Sequence, residues 1–104
     1  MLLIHSDPQV REAMAGALRR WTTDVVVGVG SVAEVERWPR GQVVVVEDRF
    51  FTPFWLTVGA AHVIVVEPRL TAPRSESPSI TCVPLDGGWS ALLHALEGLG
   101  VLVR

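Results

Sequence analysis

Lysine is absent from this 104-residue chain, and all nine basic residues are arginines. They are dispersed, with Arg19 and Arg20 the only adjacent pair. A net charge of −2 and a pI near 5.8 give no general attraction to nucleic acid or to an anionic membrane. Cysteine is nearly absent as well. The lone Cys82 excludes an internal disulfide and any zinc cluster built on thiolates. Long apolar runs are missing too, since none approaches the roughly 18 residues of a membrane span. The opening "MLLIHSDP" turns polar too soon for a signal peptide. There are no internal repeats and no linker. These absences lead us to expect a cytoplasmic protein that makes no direct contact with nucleic acid or membrane.

What remains is a globular composition, 49% hydrophobic and 19% charged. A chain of this length supports one core, so residues 1–104 are read as a single domain. Five short runs rich in Val and Ile recur: "LLIH" (2–5), "DVVVGVG" (24–30), "QVVVVE" (42–47), "AHVIVVE" (61–67) and "SITCVPL" (79–85). They mostly lack polar alternation, which is how strands buried on both faces of a parallel sheet read.

Helical signals lie between these runs. Asp7 at the N-cap and Pro8 at the first helical position open a helix to about Trp21. Val10, Ala13, Met14, Ala17, Leu18 and Trp21 fall on one face of it. "SVAEVERW" (31–38) begins with a capping box, Ser31 with Glu34, and stops before Pro39. "GWSALLHALEGLG" (88–100) carries an apolar stripe and closes on glycine. Residues 51–60 have room for only a couple of helical turns, and "PRLTAPRSESP" (68–78) reads mainly as a loop. Strands alternating with helices predict an α/β fold with a doubly wound parallel sheet and right-handed crossovers.

In this arrangement the chain resembles the receiver domain of bacterial response regulators. "LLIHSDPQVREAMAGAL" has the shape of the family's first strand, acidic cluster and proline-started helix. "QVVVVEDRFFTP" has the shape of its third strand, which ends in the phosphoryl-accepting Asp and is followed by a proline. The resemblance covers nearly the whole chain. It implies a five-stranded, flavodoxin-like sheet of order 2-1-3-4-5. Here the third helix is shortened and the fourth is mostly replaced by a loop.

The same resemblance implies where a phosphoryl site would lie, and this chain departs from it at each position. His5 and Ser6 stand where the family has two acids that help hold Mg²⁺, with only Asp7 acidic beyond them. Glu47 stands at the acceptor Asp, Glu67 at the reporting Ser or Thr, and Val83 at the conserved Lys. Together these losses remove the electrostatic stabilisation that phosphoryl transfer needs. The expectation is a pseudo-receiver that is not an enzyme and carries no cofactor or metal.

Glu47 as a permanent mimic of phosphorylation lacks both the lysine and the hydroxyl partner, which favours a solvated carboxylate. A His with several carboxylates is a set that holds Zn²⁺ or Mn²⁺, but Asp7 has a capping role and Asp48 should face away from Glu47. A charge pair of His5 with Glu47 or Glu67 is the favoured alternative to a metal. "GVGS" (28–31) lacks the pattern of a phosphate-binding loop. Cys82, inside an apolar strand, reads as an inert buried thiol.

"FFTPFWL" (50–56) holds more large apolar groups than one short connection buries easily. Phe50, Phe51, Phe54 and Trp55, together with Trp89, are therefore the candidate interface, and exposed aromatic patches mark such surfaces. The alternative is that they plug the space left by a shortened helix. The function expected is a phosphorylation-independent regulatory module, in signal transduction or transcription regulation, that binds a protein partner or itself, most simply as a homodimer. Alternatives are a small-molecule-sensing pseudo-receiver, the localisation domain of a P-loop ATPase that positions pili or septa, and an enzyme using Glu47 with Glu67.

Overall fold

The computed structural model describes residues 1–68, 74–86 and 88–101. Its strands are β1 (Leu2–Ile4), β2 (Val27–Val29), β3 (Val43–Glu47), β4 (His62–Glu67), β5 (Arg74–Ser77) and β6 (Ile80–Pro84). The helices are α1 (Pro8–Trp21), α2 (Phe54–Thr57) and α3 (Ser90–Leu99). The sheet order is β2-β1-β3-β4-β6-β5. All neighbours are parallel except β5, which pairs antiparallel with β6. The five parallel strands, taken in chain order, run 2-1-3-4-5, so the fold is flavodoxin-like α/β.

The valine runs make these strands because alternate side chains are buried on both faces. Val43 and Val45 point to one face with Leu3, Ile64, Val66 and Val83, beneath α1 and α3. Val44 and Val46 point to the other with Leu2, Ile4, Val63, Val65, Ile80 and Cys82. The first face lies under helices of normal length. Over the second lies mainly Trp55, from the single turn of α2.

Helix α1 forms where its local chemistry predicts. The Asp7 side chain accepts hydrogen bonds from the Gln9 and Val10 amides, and Pro8 occupies the first turn. Met14, Ala15, Ala17 and Leu18 are its buried residues. Helix α3 buries Leu92 and Leu96 and ends on Gly100 in the left-handed conformation that favours glycine.

Two expectations are corrected. The helix over 31–38 is only a 3₁₀ turn, Val32–Glu34, with Val35 already extended. Eight residues before a proline are too few to carry the nucleation cost unless a face is well packed. Part of the expected 68–78 loop is strand β5, a sixth, antiparallel member of the sheet, so the missing helix gives way to an edge hairpin rather than to a loop alone. Residues 69–73 of that stretch lie outside the described residues. No helix among the described residues is long and apolar enough to cross a membrane.

Candidate functional site

The ends of β1 and β3 are neighbours, with Ile4 in register with Val46. This brings "HSD" beside Glu47, as the sequence pattern implies. The Ser6 amide donates to Glu47 Oε1 at 3.0 Å. His5 is buried, and its Nδ1 accepts from the Asp7 amide at 3.1 Å. The ring hydrogen therefore sits on Nε2, which faces Glu47 Oε2 at 4.0 Å. Arg49 Nε approaches the same oxygen at 3.9 Å from a mostly exposed side chain. A cavity of about 350 Å³ opens beside this pair, lined also by Val10, Val66, Pro68, Leu85 and Asp86.

The electrostatics have a definite sign. Burial alone would push the Glu47 carboxyl up. The Ser6 amide and hydroxyl, His5 and Arg49 act the other way and hold it below the ordinary carboxylate value. Glu47 is thus a fixed anion and, with a lowered pKa, a weak base. Its first oxygen is occupied by an amide of its own chain.

The remaining sequence-derived residues fall in several places. Asp7 is exposed and committed to the α1 cap. Asp48 opens a 3₁₀ turn and accepts from the Arg49 amide at 2.9 Å. Glu67 ends β4 one residue past Val66, the register partner of Glu47. Val63 and Val65 lie on the Trp55 face, so alternation sends Glu67 to the opposite side of the sheet from Glu47. Val83 is fully buried beneath α3, within the core. The structure therefore pairs Glu47 with His5 and Ser6, and separates it by the sheet from Glu67. Among the described residues, no group of three His, Cys, Asp or Glu side chains is placed to hold a metal ion.

The aromatic segment needs a correction. Trp55 is 0% exposed, and its Nε1 donates to the Phe50 carbonyl at 3.1 Å. It is a core residue, not an interface. Phe50 and Phe51 are half-buried against the same core, and Trp89 is half-buried beside α3. Of the five candidates only Phe54 is substantially exposed, at 44%. Its ring meets Trp38 edge-to-face at 5.3 Å, and Trp38 is itself 49% exposed. The pattern over 31–38 predicts Trp38 as the end of a helix, and that helix does not form.

Sequence reasoning also missed His62. It is buried at the opposite end of the sheet, where its Nε2 lies 2.9 Å from Thr81 Oγ1. Burial pushes its pKa down. It borders a cavity of about 540 Å³ together with Met1, Asp24, Gln42 and Leu99. Nothing in an apolar strand such as "AHVIVVE" separates a buried histidine from an exposed one.

"GVGS" has a packing explanation. The Arg11 side chain crosses β2: a Cβ on Gly28 would meet Arg11 Cγ at 3.5 Å, and one on Gly30 would meet Arg11 Nη1 at 2.8 Å. Arg11 Nη1 also donates to the His5 carbonyl at 3.0 Å. Gly30 leaves room for that guanidinium and for the Glu34 carboxylate, whereas at Gly28 the arginine stem is in ordinary van der Waals contact.

No protein-family model matches the chain, and no curated protein or solved structure matches it either.

Proposed function

We propose that this chain is a receiver-like regulatory module of the cytoplasm that works without phosphorylation, as a protein–protein interaction domain that self-associates. One observation carries the reading. The carboxylate at the acceptor position, Glu47, is already engaged by the Ser6 amide and faced by His5. A phosphoryl acceptor works with a metal beside it and a cation placed to neutralise the product. Here the position that resembles the family's lysine is Val83, in the core. The pocket then acts as a structural clamp between β1 and β3 instead of a reaction site. Output would come from surfaces that are constitutively displayed, and the reading includes no enzymatic activity.

Titration with Mg²⁺ and beryllofluoride, followed by amide NMR, tests this. The expected result is no response at His5, Ser6 or Glu47. Saturable shifts centred on those residues would show a working acceptor site and overturn the reading.

A further inference from the structure

The outer edge of β2 has an unusual hydrogen-bond pattern. Val27 donates to the Met1 carbonyl at 3.0 Å, and the Val29 carbonyl accepts from His5 at 3.1 Å. Residues 27 and 29 thus turn their backbone groups inward to β1. By alternation, Val26, Gly28 and Gly30 turn theirs outward. Two of these outward groups are covered by side chains. Arg19 Nη2 donates to the Val26 carbonyl at 3.1 Å, and Glu34 Oε2 accepts from the Gly30 amide at 2.9 Å. Between these two capped groups stands Gly28, and no described residue bonds its amide or carbonyl.

Two of the segment's own apolar side chains are open, while Arg11 crosses β2 over Gly28 and Gly30. Val25 is 78% exposed and Val27 51% exposed. No charge interrupts residues 25–30. An uncharged, valine-rich edge is a template for strand addition, and natural proteins cover such edges with charged side chains.

We propose that the β2 edge is a self-association surface for a second copy of this chain, held closed by Arg19 and Glu34. The edge is self-complementary. With a two-fold axis at Gly28, the Gly28 backbone of each copy pairs with that of the other in an antiparallel ladder. The same register sets Val26 opposite Gly30, so the carbonyl and amide that Arg19 and Glu34 now cover become partners across the axis. It also lays Val27 against Val29 of the second copy and covers the exposed valine. Both caps must swing away before the ladder extends beyond Gly28. The side chains therefore set the strength of association, and the backbone sets its geometry. This rests on the self-association proposed above and adds its surface and its control.

Sedimentation velocity on the whole chain over a concentration series tests it, with circular dichroism confirming the fold. Arg19→Ala with Glu34→Ala removes both caps, and association is expected to strengthen by at least about a hundredfold, because hydrogen bonds to charged groups no longer compete. Slowed exchange of the Gly28 amide should accompany it. Adding Gly28→Pro, which removes the outward-facing N–H and fixes φ, should return association to the native level or below. Val27→Lys is the second block, should proline disturb the strand. If the double variant does not fold, Arg19→Met keeps the aliphatic stem and should give a smaller gain of the same sign. A double variant that associates no more tightly than the native chain would sink the proposal. So would association that ignores both edge blocks or leaves Gly28 exchanging freely, although self-association through another surface would then survive. A response to beryllofluoride would instead overturn only the phosphorylation-independent reading.

Discussion

The indole of Trp55 donates its Nε1 hydrogen to the Phe50 carbonyl at 3.1 Å while the ring is wholly enclosed against Ile4, Val44, Val46 and their neighbours on the second face of the sheet. The bond settles the only polar atom of a large apolar group, as burial of tryptophan requires. One residue thereby does much of what a full-length helix does in a doubly wound fold.

Removing that group should be severe. Trp55→Ala is expected to cost about 3–5 kcal/mol in urea denaturation, the range for deleting a buried aromatic. Phe54→Ala, on an exposed ring, should cost less than about 1 kcal/mol. Equal effects would show that the two aromatics share one environment.

Glu47→Gln keeps the shape of the clamp and removes its charge. The loss at neutral pH should be about 1 kcal/mol, the difference between a hydrogen bond to a charged acceptor and one to a neutral acceptor. The folded pKa lies below the ordinary value of 4.5, so this contribution is complete above 4.5 and fades as pH falls through the folded value. The gap between native chain and variant should therefore close in acid. A gap that is constant with pH would contradict the clamp.

His62 gives a second pH signature, at higher pH. Its folded pKa lies below the ordinary value of 6.5, so the unfolded chain binds the extra proton first. Stability from neutral burial is complete above 6.5 and declines as pH falls below it. Denaturation midpoints measured across that interval should drop for the native chain and stay flatter for His62→Gln. Parallel curves would mean that the ring titrates as it does in water.

Asp7→Ala should cost about 1 kcal/mol through loss of the α1 cap. Asp7→Asn should recover most of it, because an amide oxygen still accepts from Gln9 and Val10. If the asparagine variant were as unstable as the alanine one, the carboxylate would be acting through charge rather than as a cap. Denaturant titration of both variants decides this.

The parts of the fold written in local chemistry were legible. Asp7 followed by Pro8 announced α1, and unbroken valine runs announced parallel strands, because burial on both faces leaves no polar alternation. Segment 31–38 shows where local signals fail. Its capping residues do interact, since the Glu34 carboxylate takes the Gly30 amide and the Ser31 hydroxyl, yet no helix follows. The site was half legible. The order of strands brought His5 and Ser6 to Glu47, but the exclusion of Glu67 depends on strand alternation at a sheet end. Likewise, Phe54 and Trp55 are adjacent in sequence and opposite in fate. Which of the two turns inward is fixed by the placement of a single helical turn.

Arg11 spans more of the molecule than its position on one helix suggests. Its Nη1 holds the His5 carbonyl at the clamp, while its stem lies over Gly28 and its guanidinium over Gly30. A wider residue at Gly30 would have to evict the guanidinium and so loosen the main chain at His5. The clamp and the β2 edge thus share one side chain, Arg11.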